Sequence, residues 1–419
     1  MAAYVFGGAA PADPLTAFEP ANNAKEMKTS RDRIITTHTG SLPRTLELSK
    51  LLVMREQGKP VDTAAFDSEV ARCLDGVIAA QLDAGLDSIN NGEAPRVGFS
   101  TYVTERMTGF GGEGRRKPTL DIQRFPGYAE HMARQIGVSE DLAKVWNTPL
   151  AQRAVQYDPT LAGVKAELAS FDAALANRPQ PLETFMTAAS PGVVTTTMLR
   201  AENNPDYPTD RDYVLAVARE MKQEYEAIVA AGHVLQLDAP DLAMERVIMF
   251  GDDDLGTFLE RVELHIEAIN LALENIPADK VRLHVCWGNW QGPHQDDVPV
   301  AELLPILYRA KVGALSIPLG NPRHEHETVS FKTHPLPDHM LLMPGVIDVT
   351  TNYLEHPEVV ANRICASVEA IGDRERVVAG TDCGFGTFAS YEFVAQDVAW
   401  AKLKALSEGA AIATRRLWG

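Results

Sequence analysis

At 419 residues, with 45% hydrophobic and 23% charged side chains, the chain has the make-up of a globular protein able to bury a large core. Its 57 acidic side chains against 39 basic ones give a formal net charge of −18, and no basic stripe is present to neutralise phosphates, which argues against a nucleic-acid partner. No apolar run nears the roughly 18–20 residues needed to cross a bilayer, so no membrane partner is expected.

The first 30 residues are small and apolar, without a basic n-region, and read as an N-terminal arm and not a signal peptide. RIITTHTGSLPR then gives a strand over 34–38 and a loop carrying Gly40 and Ser41, and helical patterns follow to about 58 and over about 67–84. A strand at 86–90 runs into NGEAPR, which holds Glu93. Residues 94–175 read as a long, irregular insertion with a Gly-rich, lid-like loop at 109–118 and a helix at about 159–175. The glycines lack the strand-to-helix setting that a phosphate-cradling loop requires. From 182 the pattern is regular: strands at 182–188, 234–238, 281–285, 314–317, 345–349 and 377–380. Helices are expected at about 210–231, 255–275, 300–311, 357–371 and 393–408.

Eight strands, most followed by a helix, imply parallel pairing through crossovers. The expected fold is therefore α/β, a single (β/α)8 TIM-type barrel over 31–419 with the insertion between its second and third strands. No G-x-G-x-x-G follows the first strand, which disfavours a dinucleotide-binding sheet. In such a barrel the chemistry sits where strands end. The sequence places Gly40, Ser41, Glu93, Pro191, Asp238, His284, Cys286, Asn321, Arg323, His324, Asp348, Thr350, Asp382 and Cys383 there.

Four cysteines are too few for a disulfide framework in a chain this long and suit a reducing cytoplasm. Cys73 and Cys365 lie in helical patterns and read as buried apolar side chains. Cys286 differs, because VRLHVCWGNW puts His284 and Cys286 two apart at a strand end, on one face. Cys383, in GTDCGFGT at another strand end, is their expected partner. One imidazole and two thiols form a mixed N/S donor set of the kind Zn²⁺ occupies; two core cysteines and a hydrogen-bonded histidine are the plain alternative. Asp238 is either a substrate contact or a helix N-cap, and Glu93 is similar. HEHE (324–327) reads first as a structural hydrogen-bonding cluster, with a metal or acid–base role left open. Arg323 is either an anion-binding fork or a loop ion pair, and Tyr353 is a candidate proton donor to a leaving alkoxide. The acidic runs at 252–254 and 296–297 read as solvated surface.

TTHTGSLPR, NNGEAPR, QLDAPDLA, HVCWGN, NPRHEHE, GVIDV and TDCGFGT together resemble the catalytic C-terminal barrel of cobalamin-independent methionine synthase and its stand-alone relatives, which include the epoxyalkane:coenzyme M transferases. The resemblance covers about 33–415. It implies Zn²⁺ held by His284, Cys286 and Cys383, and a methyl or alkyl group moved from a small-molecule donor to a substrate thiol. It implies further that Gly40, Ser41, Glu93 and Asp238 hold the amino-acid part of a homocysteine-like acceptor, and a homo-oligomer is a family-level expectation. A metal-free lyase on the related uroporphyrinogen decarboxylase-like barrel and a zinc-storing barrel are the competing classes.

Two departures stand out. Pro318 occupies the place where the family has a zinc-binding glutamate, so the ion has three protein ligands, or Glu325 or His324 supplies a fourth. The tryptophan and histidine of the folate-using members are not recovered in VVTTTML and VTTNYLEHP, which argues against a folylpolyglutamate donor.

Overall fold

The computed structural model describes residues 26–136 and 148–419; most of the expected arm lies outside the described residues. Ten strands are present among them: β1 Ile35–Thr36, β2 Ser88–Ile89, β3 Met107–Gly111, β4 Leu150–Tyr157, β5 Glu183–Ala189, β6 Val234–Asp238, β7 Val281–His284, β8 Ala314–Pro318, β9 Leu341–Gly345 and β10 Val378–Ala379. A curled parallel sheet of six runs in the order β2-β5-β6-β7-β8-β9, and β1 pairs in parallel with β10. The pair is tied to the sheet more sparsely. Parallel bridges join Leu342 to Val377 and Gly345 to Gly380, and the Asp87 amide donates to the Thr36 carbonyl at 3.2 Å.

These strands are near-continuous runs of buried residues, as parallel strands covered on both faces must be. Helices outside supply the second layer. Asp210–Ala230 packs against Leu255–Ala272, and Pro357–Ile371 against Gln396–Trp418. The first of these starts in a capping box, with the Thr209 side chain and Asp212 satisfying each other's backbone amides.

Register sets the site. Ala189, Asp238, His284, Ser316 and Met343 are successive partners across β5 to β9. Partners in one row share a face, so Asp238, His284 and Ser316 project together. Two residues earlier along the strands, Thr187, Gln236 and Arg282 form the next row. Arg282 is fully buried there. It donates to Gln236 Oε1 at 2.7 Å, Thr37 Oγ1 at 3.0 Å and the His38 carbonyl at 3.1 Å, and covers the Phe185 ring at 3.5 Å.

Three sequence expectations need correction. The strand expected at 345–349 is Leu341–Gly345. Pro344 made MLLMPG look unlike a strand, but its carbonyl still accepts from the Gly380 amide at 3.0 Å. The closing helix runs Gln396–Trp418, past Gly409, which read as a stop. A Cβ at Gly409 would lie 2.5 Å from Val360 Cβ, so the glycine permits close helix packing. The segment 94–175 is also not irregular where it is described. β3 and β4 pair antiparallel, with a bulge between Thr108 and Phe110, and buried Ala151, Val155 and Tyr157 share one face of β4. Gly109 sits at φ 97° in the bulge, where a Cβ would meet the Ala154 carbonyl at 2.6 Å. The helix expected at about 159–175 is Ala162–Leu175.

Candidate active site

His284 ends β7 and Cys286 follows two residues later; Cys383 lies four residues past β10. Their donor atoms all lie within 4.8 Å of one another, and all three residues are buried. Cys383 Sγ is 3.4 Å from His284 Nε2, and His284 Nδ1 is 3.3 Å from Ser316 Oγ. The serine thus engages the outer ring nitrogen and leaves Nε2 facing the sulfurs. A tetrahedral zinc with the usual Zn–N and Zn–S bonds would hold such a pair about 3.6 Å apart, so the donor set fits that ion. The thiols share charge unevenly. A hydrogen bond from Cys383, with help from His284, holds Cys286 well below its usual value against burial, and the same bond together with burial pushes Cys383 up. Burial works against protonated His284, yet its hydrogen bond to Cys286 raises it. The plain alternative, inert core cysteines, describes Cys73, which is buried in the helix Thr63–Asp83.

Pro318 ends β8 and offers no donor. Neither expected substitute joins the cluster. Glu325 pairs with Arg363 at 3.3 Å, and both ring nitrogens of His324 are engaged elsewhere, by Glu327 at 2.8 Å and Asp297 at 3.0 Å.

A cavity of ≈ 230 Å³ opens onto the three donors, and Ser41, Glu93 and Asp238 line it as well. Gly40 lies behind them. A Cβ there would fall 2.6 Å from Thr187 Cγ2 and 2.8 Å from Glu93 Oε1, so only glycine lets the β1 loop pass. Glu93 sits at φ 55°, an uncommon conformation for a residue with a Cβ, held by its amide donating to Asn91 Oδ1 at 2.9 Å. Its Oε1 accepts from Thr187 Oγ1 at 2.8 Å, while its Oε2 is buried without a partner. Burial pushes the Glu93 carboxyl up despite Arg96 and Arg44. Asp238 is not a helix cap. Its Oδ1 accepts from Gln236 Nε2 at 2.7 Å, and burial with the nearby Glu93 charge pushes it up to about 7. Two crowded carboxylates, one with an unpartnered oxygen, are complementary to a cation.

Two supporting residues, Arg96 and Thr187, escaped the sequence reading. Arg96 donates to Thr187 Oγ1 at 3.0 Å and to the Thr187 carbonyl at 2.9 Å, and it pairs with buried Glu167 at 2.9 Å. The hydroxyl that holds Glu93 is therefore itself held. Asp382, expected at a strand end beside Cys383, is pushed up to about 7 by burial; it accepts from the Leu319 and Gly320 amides at 3.0 and 2.8 Å and pins the loop after β8. Conservation of Arg96 and Thr187 across relatives is the signal that could have found them; one sequence does not carry it.

Three expected site residues stand away from this cavity. Arg323 donates to the carbonyls of His294 at 2.6 Å and Gln295 at 3.0 Å and so braces a loop. His324 belongs to a separate group with His294 and Asp297. Tyr353 is 84% exposed. Asp348 accepts from the Thr350 and Thr351 amides, so the chain turns outward there and carries Tyr353 to the surface. No helix among the described residues is long and apolar enough to cross a membrane.

No protein-family model matches the chain. It is 28% identical over 246 residues to 2-hydroxypropyl-CoM lyase of Xanthobacter autotrophicus, a match covering 52% of this chain and 60% of the lyase. It is 36% identical over 75 residues to 5-methyltetrahydropteroyltriglutamate–homocysteine methyltransferase of Streptomyces avermitilis, covering 18% of this chain and 10% of that enzyme. Among solved structures, a B12-independent methionine synthase from Shewanella, in complex with selenomethionine, superposes with a TM-score of 0.65 at 18% identity, over 92% of this chain and 99% of the other. A Listeria monocytogenes protein assigned as a vitamin B12-independent methionine synthase follows with a TM-score of 0.58 at 17% identity, over the same shares. At these identities the likeness in structure speaks to fold. The homologues of this chain thus include 2-hydroxypropyl-CoM lyase and cobalamin-independent methionine synthase-like proteins, and its fold is shared with B12-independent methionine synthase.

Proposed function

We propose that the protein is a zinc-dependent transferase that moves a methyl or alkyl group onto the sulfur of a small aminothiol of the homocysteine kind. The observation that carries this is the pairing of two features in one cavity: the His284, Cys286 and Cys383 donors, and the Glu93–Asp238 acid pair. A zinc ion in this donor set supplies the Lewis acidity that lets a thiol ionise at neutral pH, where a free thiol of pKa about 8.5 is only a few per cent thiolate. With Pro318 in place of a fourth protein ligand, a coordination position is left for the acceptor sulfur. Glu93 and Asp238 bind the acceptor's ammonium group, and Thr187 and Arg96 hold Glu93 in place. Ser316 orients His284.

A second reading, an alkyltransferase acting on coenzyme M as in the Xanthobacter relative, rests on that relative's match. The acid pair argues against it, since two carboxylates repel a sulfonate. We also read the eight parallel strands as one closed (β/α)8 barrel, supported by the β9–β10 bridges and the Asp87–Thr36 hydrogen bond. The segment 94–175 is then an insertion that walls the cavity, with Arg116, Ile122 and Tyr128 facing it.

The test is thioether formation, followed by mass spectrometry, from homocysteine, coenzyme M and glutathione with methyl donors and with epoxides. Homocysteine is expected to be alkylated, and Cys286→Ser and Cys383→Ser to abolish the product. Product from coenzyme M alone would select the second reading; no thioether with any thiol would end both.

A further inference from the structure

Beyond the cavity described above lies a second convergence of ligand-type side chains. His294, Asp297 and His324 bring their donor atoms within 4.8 Å of one another. His294 Nδ1 and His324 Nε2 approach the same oxygen, Asp297 Oδ2, at 2.9 and 3.0 Å. In each ring the other nitrogen meets an acceptor: His294 Nε2 lies 3.0 Å from the Trp290 carbonyl, and His324 Nδ1 lies 2.8 Å from Glu327 Oε1. Those outer acceptors take the single N–H of a neutral imidazole, so both inner nitrogens present lone pairs toward a carboxylate. Three electron-rich atoms facing one another need positive charge between them, either two protons or one dication.

We propose that this is a second divalent-metal site, of the two-histidine, one-carboxylate kind, suited to Zn²⁺, Mn²⁺, Fe²⁺ or Co²⁺. The separations support a metal. Neighbouring donors around a six-coordinate ion with bonds near 2.1 Å lie about 3.0 Å apart. The outer hydrogen bonds to a carbonyl and a carboxylate are those that fix the tautomer of metal-bound histidines. Trp287 stacks on His324 at 3.8 Å and Trp290 on His294 at 4.3 Å, so neither ring turns freely. Asp297 Oδ1 is buried without a hydrogen-bond partner, which leaves a second carboxylate oxygen for bidentate binding. Open coordination positions are available too. A cavity of ≈ 180 Å³ is lined by His294 and His324, and also by Asn321, Asp348 and Cys383. Gly288, Asn289, Trp290 and Cys383 line both cavities, so the second site adjoins the first.

This inference does not rest on the proposed function, because it needs neither the thiol chemistry nor the first metal. The test is metal content and Co²⁺ absorption of the full chain, stripped with chelator and reloaded at pH 8. Two equivalents per chain are expected. One, lost in Cys286→Ser, gives a near-ultraviolet thiolate-to-cobalt band. The other, lost in Asp297→Asn and in His294→Gln, gives only weak visible bands. Because the wild-type count and spectrum need no variant, a variant that fails to fold leaves the test intact. A wild type holding no ion beyond the one lost in Cys286→Ser would overturn the proposal, as would Asp297→Asn retaining the full complement; the cluster would then be held by protons. Failure of the first site alone would leave the second equivalent in place.

Discussion

Asp238→Asn isolates the electrostatic cost of the acid pair. Asp238 is buried beside Glu93, and burial and that neighbour push its pKa to about 7 from 3.8. Asparagine keeps the oxygen that accepts from Gln236 Nε2 and removes the titrating proton. The sign follows from the raised value. The folded protein binds a proton that the unfolded chain has released, so this group's contribution is full below about pH 4 and is lost as pH rises through about 7. A shift of that size is worth at most about 4 kcal/mol, and about 2–3 kcal/mol of it falls between pH 5 and 8. In metal-free protein, urea unfolding should show the asparagine variant gaining on wild type by that amount between those two pH values. An equal difference between the two proteins at pH 5 and pH 8 would refute the reasoning, because the carboxyl would then titrate alike in both states.

Thr187→Val removes the hydroxyl shared by Arg96 and Glu93 Oε1 and leaves Glu93 with neither oxygen bonded. A loss of about 1–3 kcal/mol in urea unfolding is expected, restored by Thr187→Ser; an unchanged midpoint would mean that water replaces the hydroxyl. Gly409→Ala sets two effects against each other. Helix propensity gains about 1 kcal/mol, but a Cβ 2.5 Å from Val360 Cβ and 2.9 Å from the Pro357 carbonyl forces the two outer helices apart, a cost of about 1–3 kcal/mol. A net lower midpoint is expected, and a raised one would show that the contact yields.

What could be read from the chain divides along physical lines. Strand–helix alternation carries the parallel α/β character, because buried parallel strands are short apolar runs and their covering helices have a 3.6 period. The convergence of His284, Cys286 and Cys383 was legible because i and i+2 on a strand share a face and strand ends of this architecture meet. The strand Leu341–Gly345 was not legible, since Pro344 near its end mimics a break. The β3–β4 pair was obscured by a run of glycines, of which Gly109 sits in the bulge. Arg96 and Thr187 were silent because their importance lies in partners far along the chain, such as Glu167 at 71 residues' separation from Arg96. The surface position of Tyr353 and the bracing role of Arg323 depend on turns whose hydrogen bonds no local pattern announces.

Arg282 is fully buried below the cavity, and burial lowers its pKa only to about 10, so it remains a cation throughout the neutral range. Sealed from solvent on every side, it has no counterion atmosphere to screen it. Its field on the neighbouring strand ends is therefore only weakly screened by added electrolyte, and most of any salt sensitivity of small-molecule entry falls to groups nearer the mouth.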